Sequence, residues 1–353
     1  MQPTLRLSLV TLSMAAVYSS FAQLPRIVLE PAAGGAPQVF LALDDAIAAV
    51  QADDRLYFSG GTFSTTAPLV LTEPIHFIGA GIHPDSASIT LRTKLVQQAP
   101  IQVNTSASNS TFTGISFDSS TGACIQYGDS DTNDDPTGIL FERCEFVQDV
   151  ALTAISILAG PNFSSSNFNE CLFRGRLDGG DLTTAVVTRS IFEGSINTMD
   201  GGGLLVDHCV FFDTGINNSH FSTVQNSIFS GAIPGLFQCN GSSVSNSLTT
   251  HTAFFGNSGS NTSETNSFTG QSNVFVNETN GQFDFTDDLH IAAGSVALGG
   301  AIDGTDMGLY GSPFPAKPGF LPYNPHYQAV TIDPATDANG DLPINIKVKA
   351  QTY

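Results

Sequence analysis

One short motif recurs seven times along the chain, and no other property restricts its fold as tightly. It consists of an apolar residue, two variable residues, a small Cys or Ser, one variable residue and then Phe. Five copies fit throughout: Phe141-Glu-Arg-Cys144-Glu-Phe146, Phe168-Asn-Glu-Cys171-Leu-Phe173, Val187-Thr-Arg-Ser190-Ile-Phe192, Val206-Asp-His-Cys209-Val-Phe211 and Val224-Gln-Asn-Ser227-Ile-Phe229. Phe112-Thr-Gly-Ile115-Ser-Phe117 opens the series with Ile in the small slot, and Val244-Ser-Asn-Ser247-Leu-Thr249 closes it with Thr in the last. From Phe173 the last slot advances by 19, 19, 18 and 20 residues, while the earlier advances of 29 and 27 mark coils with inserted loops. A period of this size is the signature of a stacked repeat.

The spacing also carries geometry. The small residue and the Phe are two apart and share one face of a strand. The apolar residue three before the small one would face the other way on a continuous strand, yet all three slots suit a core, so the chain must bend between them. Asn226 and Asn246 precede the small slot in two copies, and Asn tolerates the left-handed conformation that such a corner requires. Two short strands joined by a tight corner, repeated every 19 or so residues, predict an all-β right-handed parallel β-helix. Coils about 4.8 Å apart would then stack Cys144, Cys171, Ser190, Cys209 and Ser227 into one inward ladder beside a column of Phe. That makes three of the five cysteines small packing residues. A disulfide between Cys144 and Cys171 stays open at this point, and the odd count argues against a complete disulfide framework.

Residues 1–22 combine Arg6, the apolar stretch Leu7 to Val17 and the ending Ser20-Phe21-Ala22, which is the pattern of a secretory signal peptide. The expectation is export to the cell surface or the medium. No later run approaches the roughly 20 apolar residues of a transmembrane span. With 12 Lys and Arg against 32 Asp and Glu, a net charge of −20 would repel nucleic acid and bare polyanionic glycans. Nucleic acid is therefore excluded as a partner, an acidic polysaccharide would need a bridging cation, and a monomer is expected.

Ahead of the repeat, Leu41 to Val50 has helical apolar spacing and predicts an N-terminal capping helix. Arg55-Leu-Tyr-Phe-Ser-Gly-Gly-Thr-Phe63, Pro68-Leu-Val-Leu-Thr72 and Ile75-His-Phe-Ile-Gly-Ala-Gly81 come next as strand segments. This order resembles the opening of the pectate-lyase-like right-handed β-helix superfamily. Asp288-Leu-His-Ile-Ala-Ala-Gly-Ser295 and Asp303-Gly-Thr-Asp-Met-Gly-Leu-Tyr-Gly311 resemble the closing segment of exported bacterial members. The expected organisation is a leader over 23–38, the β-helix over 39–311, and over 312–353 a Pro-rich segment with a terminal strand that caps the solenoid or docks to a partner.

Two clusters carry chemistry. Nine positions before the small slot stand Asp135, Asn162, Asp181, Asp200, Asn218 and Gln238. Asp181 and Asp200 are thereby expected on adjacent coils, where two carboxylates either share a cation or act as an acid/base or nucleophile pair. The plain alternative is a ladder of short polar side chains bonding to turn backbone. Arg189 and His208 occupy the corner slot one coil apart and complete the candidate catalytic set. Asp129, Asp131, Asn133 and Asp135 alternate oxygen ligands like the start of a calcium loop, or form a solvated acidic loop. With Asp134 in the sixth position and Leu140 in the twelfth, it is not an EF-hand.

The resemblance implies an extended groove for a polysaccharide, cleaved by lyase or hydrolase chemistry, with calcium as the cofactor of a lyase. Asn197-Thr-Met-Asp-Gly201 is similar to a polygalacturonase motif, but the Asp pair, Gly-His-Gly and Arg-Ile-Lys of that family are absent. The loop insertions at 118–138 and 147–166 are the expected walls of the groove. The alternative is a non-catalytic, adhesion-like surface solenoid.

Overall fold

The computed structural model describes residues 25–83, 91–129, 133–152, 163–180, 182–200, 203–259, 261–320, 326–332, 336 and 339–349. The signal peptide expected over residues 1–22, Asp131 and Asp181 lie outside them. The chain is a right-handed parallel β-helix. Sheet A has twelve strands and sheets B and C nine each, and every coil passes through A, B and C in turn. Within these three sheets, only the pairings made by the first strand, Ile27–Glu30, with Gln38–Phe40 and Arg55–Phe58 are antiparallel. A helix spans Leu43–Ala49 and buries Leu43 and Ala46 next to those strands.

The sheet-B column is a continuous stack. Phe146, Phe173, Phe192, Phe211 and Phe229 lie nearly parallel, with successive ring centroids 4.9, 4.4, 4.6 and 4.5 Å apart. A second stack in sheet A runs through Phe77, Phe112, Phe141 and Phe168 and meets the first edge to face. It continues as Val187, Val206, Val224 and Val244. Each buried side chain contributes roughly 1.5–3 kcal/mol, and offset or edge-to-face ring pairs add about 0.5–1.5 kcal/mol.

The corner between sheets A and B is left-handed on every coil from Gly114 onward, as its spacing requires. Gly114, Arg143, Glu170, Arg189, His208, Asn226, Asn246 and Asn266 all have positive φ. Charged or ionisable residues at four of these positions bear a local strain that Asn and Gly avoid. Arg143 and Glu170 compensate by a fully buried two-pronged pair, at 2.9 and 3.3 Å.

The small column does more than fill space. Each corner leaves one inward N–H that the next coil's backbone does not accept, and the small side chain below accepts it. Cys171 N–H donates to Ser190 Oγ at 3.0 Å, Cys209 to Ser227 at 3.1 Å, Ser227 to Ser247 at 3.1 Å and Ser247 to Ser267 at 3.2 Å. Each hydroxyl in turn donates to the carbonyl two residues back. All five cysteines are free and buried. A second ladder at the corner between sheets C and A runs through Met199, Ser219, Cys239 and Ser258, and places a fourth cysteine.

The parallel coils end at Phe268, bridged to Leu248, short of residue 311. The reason lies in the outward row of sheet B. It begins polar with Lys94, Ser116 and Glu145 and turns apolar with Leu172, Ile191, Val210, Ile228 and Leu248. Residues 274–320 fold back as a strap over that apolar half. Val274, Phe283, Leu289, Ile291, Met307, Leu309 and Phe320 bury it in a second core. Beyond the strap, His326–Ile332 and Ile344–Lys349 form an antiparallel hairpin.

Candidate functional site

The residues singled out by spacing fall on two different edges of the prism. Arg189 and His208 share the corner between sheets A and B. Asp200 lies on the corner between C and A, so the structure does not bring the three together. The equal-spacing column also needs correction past Asp200. The sheet-C repeat there is 20 residues, Asn197 beside Asn217, whereas the sheet-A repeat is 18, Leu205 beside Thr223. A count taken from the sheet-B side therefore slips by two, and His220 instead of Asn218 stands next to Asp200.

The Asp200 carboxylate approaches His220 Nε2 at 3.9 Å, and its Oδ1 makes no hydrogen bond. His220 Nδ1 accepts the Asn240 N–H at 3.1 Å. A neutral ring with that acceptor carries its proton on Nε2, so its lone pair is committed to backbone and is not free to abstract a proton. His208 is buried beneath the strap, with Nδ1 2.8 Å from Asp207 Oδ1. Burial opposes the charge of Asp207, but the His208 hydrogen bond and charge, with Asn226 and Gln225, hold its carboxyl below the usual range. Asn226 also accepts the Ile302 N–H at 2.8 Å, so this corner is a seam that stitches the strap down.

At the acidic loop, Asn133 donates its amide to Asp129 at 2.8 Å and accepts the Asp129 N–H at 3.0 Å. Asp135 accepts the Phe163 N–H at 2.6 Å. These bonds use the Asn133 oxygen and one oxygen of each carboxylate inside the loops themselves. Among the described residues, no group of three or more His, Cys, Asp or Glu is arranged to hold a metal.

A cleft lies on the third edge, at the turn from sheet B to sheet C. Its floor is one residue per coil: Glu193, Phe212, Ser230 and Thr250, each just after the stacked column. At about 4.8 Å per coil, this row runs roughly 14 Å along the axis. The far wall is the strap loop 273–282. Two hollows of about 620 and 330 Å³ adjoin at Ser230 and Thr250. Asn273, Asn277, Asn280 and Gln282 bring amides, Asp213 and Glu278 bring carboxylates, and Phe212 and Phe275 bring rings 6.1 Å apart.

The wall is fixed by charge. Arg174 bridges Glu145 at 3.3 Å and Glu193 at 2.5 Å, and Arg92 also holds Glu145, at 3.0 Å. Glu193 accepts the Phe283 N–H at 2.8 Å while Arg174 donates to the Phe283 carbonyl at 3.4 Å. Burial lowers the Arg174 pKa, but Glu193 and Glu145 more than reverse that, so the guanidinium stays charged. The two side chains clamp the strap backbone as a neighbouring strand would. Close packing at this edge is strict: a Cβ on Gly194 would sit 1.9 Å from the Gly175 carbonyl oxygen.

None of this cleft was among the residues flagged by spacing. Its floor shares a position in every coil but no residue type, and its wall arrives from much further along the chain. Compared with protein-family models, with curated proteins and with solved structures, the chain matches none.

Proposed function

We propose that this chain is an exported solenoid that binds an extracellular polysaccharide in the cleft between the B–C turns and the strap loop. The observation that carries the reading is the floor of the cleft. It presents one side chain per coil at a regular rise, so an extended polymer meets equivalent positions as it runs along the axis. Hydroxyl, amide and carboxylate groups suit the hydroxyls of a sugar, and the partly exposed Phe275 ring offers an apolar face in a chain that has no Trp. The order of helix, Gly-Gly-Thr-Phe and the Ile-Gly-Ala-Gly segment supports kinship with pectate-lyase-like β-helices, and the apolar N-terminal stretch supports export.

Binding is favoured over cleavage. Asp200 is on a different edge from Arg189 and His208, and His208 is buried under the strap. A glycan array, with and without calcium, tests the proposal, followed by calorimetry on Ser230→Trp, which fills the cleft where its hollows meet. The expected result is a saturable hit that Ser230→Trp weakens at least about tenfold while the melting temperature holds. Absence of any hit in both conditions refutes the proposal. New reducing or unsaturated ends in the bound glycan would replace binding by catalysis, and a hit that needs calcium would restore the metal to the mechanism.

A further inference from the structure

The row that floors the cleft has two unlike ends. One coil before Glu193 the same position is Arg174, since Phe173 pairs with Phe192. There the strap backbone lies on the row itself. Glu193 accepts the Phe283 N–H at 2.8 Å, and Arg174 donates to the Phe283 carbonyl at 3.4 Å. Arg174 and Glu193 also hold each other, and Arg174 lines neither hollow. The row is blind at this end.

The opposite end is clear. Leu248 is bridged to Phe268, which makes Gly270 the position after Thr250 in the row. Gly270 is exposed, and a Cβ built on it would meet no atom within 4 Å. Its N–H is held by the His251 carbonyl at 2.7 Å, so the last turn is fixed in place. The row opens where the coils finish.

Three coil steps, from Glu193 through Phe212 and Ser230 to Thr250, lie between these ends. A sugar in an equatorially linked β-1,4 chain advances it by about 5 Å, close to the coil spacing of about 4.8 Å, so about three sugars fill that length. Among the described residues, no Lys, Arg or His lines the hollows to meet an anionic sugar. Ser230, where the hollows join, has a hydroxyl with no partner among the described residues.

We infer that the cleft reads the end of a neutral β-1,4-linked glycan, admitting about three terminal sugars past Gly270 and stopping them at the strap backbone on Glu193 and Arg174. This rests on the glycan reading of the cleft. Gripping the middle of a chain along the axis would need both ends of the row clear, and main chain pinned from two coils fills one of them.

The test is calorimetry on the intact protein. It is titrated with β-1,4-linked oligomers of glucose, mannose and xylose from dimer to hexamer, and with long soluble glucomannan and xylan of known chain length. In a series that binds, affinity should rise at least about tenfold from dimer to trimer and then change by less than about twofold up to the hexamer. The matching polymer should take up one protein per chain, whatever its length. Ser230→Trp, confirmed as folded by its melting curve, should weaken the trimer at least about tenfold.

Affinity that keeps climbing to the hexamer overturns end recognition and leaves the glycan reading standing. Polymer chains that load protein in proportion to their length do the same. Trimer binding that Ser230→Trp leaves unchanged overturns the site. If none of the three series binds, the inference falls, and the wider glycan reading falls with it only if the glycan array is also blank.

Discussion

At the scale of single residues, the cysteines show how position sets chemistry. Burial pushes the Cys144 and Cys209 thiols up to about 12 and Cys239 to about 11, and raises Cys124 and Cys171 as well. The thiolate is the reactive form, so at pH 8 almost none is available. In the native protein a chromogenic disulfide reagent at pH 8 should find less than about one thiol per chain. In guanidinium, without reductant, it should find all five. A lower titre after denaturation would mean that a disulfide is present. Cys144 and Cys171 are neighbours in the ladder, and a count along the chain can place them in contact without saying whether they are bonded. The structure leaves both as thiols.

At the scale of elements, the small-residue ladder is a hydrogen-bond device. Ser227 accepts the buried Cys209 N–H and returns its own proton to the Gln225 carbonyl. Ser227→Ala keeps the volume nearly constant but leaves that N–H without an acceptor, at a cost of about 1–3 kcal/mol. Cys209→Ser keeps both bonds and should change stability by less than about 1 kcal/mol. Urea unfolding of the two variants distinguishes this role from packing, because pure packing would rank them the other way round. The A strands, the corner and the B strands were legible because a three-plus-two spacing repeats there without exception. The C–A turn was not. Insertions and compensating lengths of 18 and 20 residues accumulate in it, and a linear count cannot tell which side of the coil has gained them. The cleft escaped for a related reason, since Glu193, Phe212, Ser230 and Thr250 have only their place after the stacked column in common.

At the scale of the whole molecule, the solenoid has an open end. Sheet A finishes at Ser263–Thr265, whose outer edge carries no further strand among the described residues. Such an edge invites another chain. The inner column reaches that end as Val187, Val206, Val224, Val244 and then Glu264. A carboxylate where the stack would continue makes a further coil costly, because stacking on it would bury an unpaired charge. Glu264→Val removes the obstacle while continuing the column. Sedimentation should then show concentration-dependent end-to-end association that the wild type lacks. If the variant sediments as the wild type does, the guard lies elsewhere at that end.

The strap has a consequence in time. Coils can close one after another as the chain is delivered from its N-terminus, since each meets only its neighbours. The outer face of sheet B cannot be finished that way. Leu172, Ile191, Val210, Ile228 and Leu248 wait bare until residues 274–320 emerge and lie across all of them at once. A stretch made only after every coil therefore closes the fold, and a chain cut short before it would present a sticky, nearly complete solenoid. Quality control of this protein amounts to checking whether its strap has arrived.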